Sequence, residues 1–227
     1  GFGLTQKNYN ELLGYGIDFF TSGNHIWDKR EIFEYIGTAD KLIRPINYPK
    51  GTHGRGYGIF EAGGVKIGVI NVLGRTFMGT VDSYLELVDN AIDEIKKETN
   101  IIFMDIHAEA TAEKICLARY YAQKGVSFIA GPHTHVQTAD ERILYDKCAY
   151  ITDAGFCGAF DSVIGMDYEI SMRRLTSAIP ERLDVAVSRT VQINGAIAVI
   201  DCCSGHAESI KRINEIIISE ENTDMKG

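Results

Sequence analysis

The feature that most constrains the fold is an alternation of strand-like and helix-like segments in the middle of the chain. IIFMDIH at 101–107 and VSFIAG at 126–131 are apolar runs of strand length. The segment between them, EKICLARYYAQKG at 113–125, predicts a helix that ends at a glycine. Two strands joined by a helix are usually parallel neighbours in one sheet. The sequence therefore predicts an α/β fold, with a mixed sheet flanked by helices, in a single domain over residues 1–227.

Other segments carry local signals of their own. Thr5 is a candidate N-cap for a helix that runs to about Gly14, and Gly63-Gly64 predicts a hairpin turn within 58–72. Asn194-Gly195 predicts a second hairpin, between 183–193 and 196–203. Further predictions are strands at 17–23 and 148–155, helices at 28–36 and 83–98, and loops at 44–58 and 74–79.

The composition limits the class of partner and the cellular compartment. A net charge of −8 argues against duplex nucleic acid or an anionic membrane as the main partner. No apolar run is long enough to span a bilayer. The five cysteines are odd in number and form no CxxC pair, so we expect free thiols and a cytoplasmic location. The adjacent Cys202 and Cys203 are interpreted as core and face residues of a strand, without a redox role.

Polar side chains follow three of the predicted strands at the point where each strand ends. Asn24 and His25 follow 17–23, His107 ends 101–107, and His133 and His135 follow 126–131. Because sites in α/β sheets form at the carboxyl ends of strands, we expect these five side chains to meet at one edge. Four of the six histidines lie in these loops, which favours a metal site. Imidazole and amide groups are suitable ligands for Fe, Mn, Zn or Ni.

Three further residues are considered as site candidates. His53 and His206 lie in turn-like segments and are interpreted as exposed loop residues. Arg75, in the loop GRTFMG, is either a surface residue or an anchor for a substrate phosphate.

The ordered motifs resemble those of calcineurin-like metallophosphoesterases, and more narrowly the YmdB-like branch. The resemblance rests on GNHIWDKREIF, LIRPINYP, GRTF, DIHAEATAEK, GPHTH, THVQTADERIL and TDAGFCG followed by GMD, and it covers essentially the whole chain. The first two motifs of that family, an Asp-containing loop and a Gly-Glu-Asn loop, would precede GFGLTQ. Their metal ligands have no counterpart here, and we therefore expect the chain to lack an N-terminal segment of its natural parent.

The resemblance implies a fold of two packed sheets flanked by helices, with a dinuclear metal centre at the strand ends. Asn24, His107 and His133 would bind one metal, His135 would bind the other, and His25 would act as the general acid. The cofactors would be two transition metals, Fe and/or Mn, with Zn as an alternative. The implied activity is hydrolysis of cyclic nucleotides such as 2′,3′-cyclic AMP by attack of a metal-bound hydroxide, with a 3′-phosphate product.

Two other functions stay open on the residues alone. The chain could be a non-catalytic metal-binding regulatory protein, because the family's carboxylate ligands are not assigned. It could also be another dinuclear hydrolase, although it contains neither HxHxD nor HExxH. The two hairpins offer edges at which copies could assemble into a homo-oligomer. Asp105 is expected on the strand face opposite to His107, with at most an orienting role.

Overall fold

The computed structural model of the chain describes residues 2–177 and 179–218. Its α-helices are α1 (Gln6–Gly14), α2 (Ile32–Tyr35), α3 (Leu85–Ile95), α4 (Thr111–Gln123) and α5 (Tyr168–Ser177). Its strands are β1 (Tyr57–Ala62), β2 (Val65–Leu73), β3 (Ile102–His107), β4 (Phe128–Ala130), β5 (Arg142–Leu144), β6 (Cys148–Ile151), β7 (Gly158–Ala159), β8 (Thr190–Ile200) and β9 (Ala207–Ile218). A short 3₁₀ helix covers Asn24–Trp27.

Two of the local signals form as the sequence predicts. The Thr5 hydroxyl accepts a hydrogen bond from the Asn8 backbone N–H at 3.1 Å and begins α1. β1 and β2 form an antiparallel hairpin whose turn residues, Gly63 and Gly64, have φ of 58° and 80°. Positive φ at both turn positions is the geometry that matches the twist of paired strands, and glycine adopts it without steric cost.

The strands form two sheets. The larger sheet has the order β1-β2-β3-β4-β6-β5, and β2, β3, β4 and β6 are parallel. The edge strands β1 and β5 are antiparallel to their neighbours, so the predicted mixed sheet is confirmed. The smaller sheet, β7-β8-β9, is antiparallel.

The main core lies between the larger sheet and α3 and α4. Ile102, Met104 and Ile106 point from β3 into a cluster that contains Ile92 of α3 and Tyr121 of α4. The alternate residues of β3, including Phe103, therefore lie on the other face of the strand. There Phe103 packs against Phe128 with ring centroids 5.1 Å apart. A cavity of about 580 Å³ separates this aromatic face from β8.

The hairpin predicted at Asn194-Gly195 is wrong. β8 runs straight through both residues, which pair with Asn214 and Ile213 of β9. Neither residue is among those with positive φ, so neither adopts a hairpin-turn geometry. The chain reverses between β8 and β9 instead, where Asp201 Oδ1 accepts hydrogen bonds from the Ser204 N–H and hydroxyl and Gly205 has φ of 73°. Cys202 and Cys203 lie in this turn, beyond the end of β8, and both are exposed, so the prediction that they are core and face residues of a strand is wrong.

Two segments near the N-terminus are less regular than predicted. In 17–23 only Phe20 forms a β-bridge, to Leu42, so this segment is extended without being a full strand. The helix predicted for 28–36 is reduced to the single turn of α2. No helix in the described ranges is long and apolar enough to cross a membrane.

Candidate active site

Three neutral donor groups from separate loops converge at the carboxyl end of the larger sheet. Asn24 begins the 3₁₀ helix, His107 ends β3, and His133 follows β4. The Asn24 Oδ1 and His107 Nε2 atoms are 2.8 Å apart, and His107 Nε2 and His133 Nδ1 are 3.0 Å apart. The structure thus brings together three of the predicted site residues at a single point.

Glycine at position 23 is what allows the first of these loops to lie against β3. Gly23 has φ of 82°, and a Cβ atom built on it would lie 2.5 Å from the His107 ring. Its N–H and that of Ser22 share the buried side-chain oxygen of Asn71, each at 3.4 Å. Asn71 is the residue of β2 that pairs with Asp105 of β3, so the loop is held by the neighbouring strand.

The loop that carries the other two histidines has an unusual backbone. His133 has φ of 137° and His135 has φ of 63°, values that non-glycine residues rarely adopt. The His135 Nδ1–H donates to the Ile164 carbonyl at 2.8 Å, which leaves Nε2 with a free lone pair. The His135 ring also stacks on Phe156, with centroids 5.3 Å apart.

His25 is placed differently from the other histidines of the site. Its ring is about half exposed, and its Nδ1–H donates to the Asp28 carboxylate at 2.8 Å. This bond fixes the tautomer and leaves Nε2 as the atom able to exchange a proton with a bound molecule. The ring also makes an edge contact with Phe2, at a centroid distance of 5.5 Å.

All four histidines line one cavity of about 430 Å³. The remaining described walls combine polar and apolar side chains: Phe2, Glu109, Thr134, Ile164, Met166 and Leu183. Arg75 is exposed and lies outside this described lining. It follows Gly74, whose N–H donates to the His107 carbonyl at 2.9 Å, so its loop begins beside the site.

Burial keeps the clustered imidazoles uncharged. Desolvation, followed by the neighbouring His133, lowers the pKa of His107 to about 3. Desolvation also lowers the pKa of His133, although Glu109, whose Oε2 is 3.2 Å from His133 Nε2, acts in the opposite direction. Above these pKa values each ring has a lone pair available for a metal ion.

Asp105 lies on the same face of β3 as His107, contrary to the expectation from the sequence. Residues two positions apart in a strand share a face, so the expectation misapplied the strand period. Burial raises the pKa of Asp105 to about 7, and its Oδ1 has no hydrogen-bond partner among the described residues. It is a buried polar group beside the site.

The donor set fits one transition-metal ion. Imidazole nitrogen and carbonyl oxygen are ligands that transition metals accept. Asn24 Oδ1 and His133 Nδ1 lie 2.8 and 3.0 Å from His107 Nε2, so these three atoms would be the donors to such an ion. Within 2–177 and 179–218, no group of three or more His, Cys, Asp or Glu side chains could hold a metal, so the amide of Asn24 is needed to complete the set. For a second ion, His135 is the one predicted ligand in the described chain.

Several residues at the site were not predicted from the sequence. Glu109 and Asp28 each follow a site histidine, by two and three positions, and that proximity was the available signal. Lys114 and Asp153 also hydrogen-bond the histidine loop, at the Gly131 carbonyl and at the Thr134 N–H. Their roles depend on contacts between residues far apart in sequence, which local patterns do not report.

Comparisons with known proteins identify the family of the chain. The model of the YmdB-like protein family matches residues 1–213. A 2′,3′-cyclic-nucleotide 2′-phosphodiesterase of Bacillus subtilis is 44% identical over 213 residues, which cover 94% of this chain and 80% of that protein.

Two solved structures have the same fold. A hypothetical protein from Thermus thermophilus superposes with a TM-score of 0.86 at 31% identity, over 95% of this chain and 83% of that one. A novel phosphatase from Mycoplasma pneumoniae superposes with a TM-score of 0.84 at 30% identity, over 96% and 79% of the two chains. The family model, the relative and the two folds lead to one assignment: the chain belongs to the YmdB-like family, which includes a relative named as a phosphodiesterase.

Proposed function

We propose that the chain is a metal-dependent phosphodiesterase that hydrolyses cyclic nucleotides such as 2′,3′-cyclic AMP. The observation that carries this proposal is that Asn24 Oδ1 and His133 Nδ1 lie 2.8 and 3.0 Å from His107 Nε2, beside a cavity that His107, His133 and His25 line. The activity named for the Bacillus subtilis relative supports the substrate class. The cavity volume of about 430 Å³ also lies within the range usual for small-molecule sites.

The residues divide into those that hold metal and those that act on the substrate. Asn24, His107 and His133 would hold one ion and His135 would contribute to a second, with Fe or Mn favoured and Zn as an alternative. When bound, such ions act as Lewis acids on the phosphoryl group and lower the pKa of a coordinated water. Imidazoles that stay neutral because they are buried are suited to this role.

His25 would supply the proton for the departing ribose oxygen. Its Nδ1–H is engaged by Asp28, so Nε2 is the atom that carries the proton to be transferred. An alkoxide is a poor leaving group, and protonation by a positioned side chain typically contributes about 10²–10⁴ in rate. Arg75 remains a candidate phosphate anchor that would need its exposed side chain to turn toward the cavity.

The test is metal content and 2′,3′-cyclic AMP hydrolysis, measured together on the purified protein and on single variants. We expect His133→Ala to lose metal and activity together. We expect His25→Ala to keep its metal and lose about 10²–10⁴ of its rate. His206→Ala, which removes an exposed histidine of the β8–β9 turn, is the matched control. Full activity in His133→Ala, or loss of metal in His25→Ala, would contradict these roles.

A second candidate is a non-catalytic metal-binding regulatory protein. The observation that favours it is the donor set itself, in which the described residues offer three ligands to one ion and a single histidine to another. One bound ion per chain, with no hydrolysis of cyclic or linear diesters, would support this candidate. Two ions with turnover would exclude it.

A further inference from the structure

A buried ion pair lies directly beneath the loop that carries His133 and His135. Lys114 of α4 and Asp153, which follows β6, are each 1% exposed, and Lys114 Nζ is 3.1 Å from Asp153 Oδ2. Removing two charges from water is costly, and well-packed apolar residues often stabilise a fold at least as well. The stability of the fold therefore does not by itself explain why this ion pair is buried.

Both members of the pair bind the backbone of the histidine loop. Lys114 Nζ donates to the Gly131 carbonyl at 2.9 Å. Asp153 Oδ2 accepts from the Thr134 N–H at 3.0 Å and from the Thr134 hydroxyl at 2.7 Å. Asp153 Oδ1 accepts from the Gly155 N–H at 2.9 Å, which fixes the carboxylate itself. The pair thus holds the loop by hydrogen bonds at Gly131 and at Thr134, which lies between the two histidines.

These hydrogen bonds are needed because the backbone of the loop is strained. The positive φ values at His133 and His135 flank Thr134 on either side. Conformations of this kind persist only where surrounding contacts over-determine them, and they cluster at functional sites. Gly131 contributes as well, because a Cβ atom there would lie 2.4 Å from the Thr152 carbonyl.

The same helix turn also holds the neighbouring loop. Glu113, next to Lys114, accepts hydrogen bonds from the N–H groups of Arg75 and Thr76 at 2.9 and 3.2 Å. The first turn of α4 therefore contacts the loops that follow β2 and β4, and α4 itself begins four residues after His107. One rigid element fixes three strand-end segments relative to one another.

We propose that the Lys114–Asp153 pair, acting through Thr134, is a positioning element that sets the placement of His133 and His135 for metal binding. The metal-binding part rests on the proposed function, whereas the placement of the two rings does not. Neither Lys114 nor Asp153 is assigned a contact with substrate or metal.

The sharpest variant is Thr134→Val, because it removes the hydroxyl and keeps the side-chain shape. We expect its affinity for Mn²⁺ or Zn²⁺, measured by chelator competition, to fall by about 10- to 100-fold, as is usual when the groups that orient metal ligands are altered. Thr134→Ser, which keeps the hydroxyl, should restore wild-type affinity. Thr52→Val is the matched control, because among the described residues the Thr52 hydroxyl donates to the Pro49 carbonyl alone, in an exposed loop.

Lys114→Met and Asp153→Asn test the pair itself in the metal-free protein. The ring signals of His133 and His135 in the NMR spectrum should shift or broaden, while those of His53 and His206 stay unchanged. Lys124→Met removes the exposed ion pair between Lys124 and Asp89 and should leave all histidine signals in place.

The outcomes separate this proposal from the proposed function. Lower thermal stability, with unchanged histidine signals and unchanged metal affinity in Thr134→Val and Lys114→Met, would overturn the positioning role. If either Lys114→Met or Asp153→Asn fails to fold, the metal affinities of Thr134→Val and Thr134→Ser decide whether the positioning role holds. If the wild-type protein binds metal without hydrolysing diesters, the proposed function fails and the affinity test still stands. If it binds no metal, the NMR comparison alone decides the placement of the two rings.

Discussion

The larger sheet and the β8–β9 hairpin are built from strands of similar apolar character, yet they are stabilised differently. β3 and β4 are short, parallel and largely buried, with helices packed on one face of the sheet. β8 and β9 are 11 and 12 residues long, antiparallel to each other, and mostly half-buried or exposed. Every predicted metal ligand lies at the end of the larger sheet, and none lies on the hairpin.

The difference extends to the polar contacts that shape the loops. At the site, the holding groups come from distant positions: Asn71 is 48 residues from Gly23, and Asp153 is 19 residues from Thr134. In the hairpin turn, Asp201 bonds Ser204, three residues away. The loops of the site therefore depend on long-range contacts, while the turn of the hairpin depends on local ones. Matched substitutions in the two regions should therefore have unequal effects.

The largest difference is expected from truncating one isoleucine in each region. Ile106 of β3 is 0% exposed and Ile197 of β8 is 56% exposed. Ile106→Ala leaves a cavity in the core and should lower the free energy of unfolding by about 2–5 kcal/mol. Ile197→Ala should cost less than about 1 kcal/mol. Denaturant titration of both variants measures the difference, and equal losses would show that the two regions are stabilised alike.

A pair of glycine substitutions gives the next largest effect. In Gly23→Ala the new methyl group meets the His107 ring, so we expect a loss of activity of about 100-fold from displacement of the site. In Gly195→Ala the nearest atom, Ile213 Cδ1, is 4.0 Å from the new Cβ, and activity should be unchanged. Metal content and turnover are the measurements. Wild-type turnover in Gly23→Ala would show that the approach of the two loops is adjustable.

Gln137 tests whether the two regions are coupled. Its Nε2 lies 3.2 Å from the Ala154 carbonyl near the site, and 3.1 and 2.8 Å from the Gly195 and Ile213 carbonyls in the hairpin. Gln137→Leu should lower the free energy of unfolding by about 1–3 kcal/mol, because it leaves three partly buried carbonyls without this donor. Gln192→Leu, within β8, is the control and should cost less. Equal costs in a denaturation assay would mean that Gln137 does not link the regions.

The smallest effect concerns acid stability. Burial alone would raise the pKa of Asp140, but hydrogen bonds from Thr138 and Thr152 outweigh it, and the pKa lies below its usual value of 3.8. A carboxyl with a depressed pKa stabilises the fold above its unfolded pKa, and this contribution is lost as pH falls through the folded pKa. Because Asp140 is partly exposed, Asp140→Asn should cost under about 1 kcal/mol at pH 7.

Asp201 provides the comparison for that measurement. Its pKa is lowered mainly by the hydrogen bond from Ser204 in the hairpin turn. Asp201→Asn should change stability at pH 7 less than Asp140→Asn does, since its contacts are local and exposed. Thermal unfolding between pH 2 and pH 7 should show the Asp140→Asn and wild-type curves converging toward low pH. A constant gap would mean that the charge of Asp140 is not responsible.

Several helices and strands were predictable because their signals are local. The Thr5 cap, the Gly63-Gly64 turn and the helix between β3 and β4 each depend on neighbours within a few residues. The same reasoning failed at Asn194-Gly195, where pairing along the whole of β9 overrides a turn preference of two residues. The real turn had its own signal in Asp201, Ser204 and Gly205.

The candidate site was predictable only in part. The strand-end histidines could be read from the sequence because each follows an apolar run, and the structure places them on one cavity. The groups that orient them could not, since Asp153 and Thr134 meet only after β4 and β6 pair. Asp105 was assigned to the wrong strand face because the period of two was misapplied. Applied correctly, the sequence alone places Asp105 on the same face as His107.

The separation of the three clustered donors along the chain has a consequence for how the protein folds. Asn24 and His107 are 83 residues apart, and His107 and His133 are 26 residues apart. Closing these loops lowers the entropy of the chain, and the pairing of the strands offsets that loss. An unfolded chain therefore offers a metal ion isolated histidines rather than a ready site. A metal that binds the native state alone shifts the folding equilibrium toward that state, so the rate at which bound metal appears during refolding would time the docking of β3 and β4.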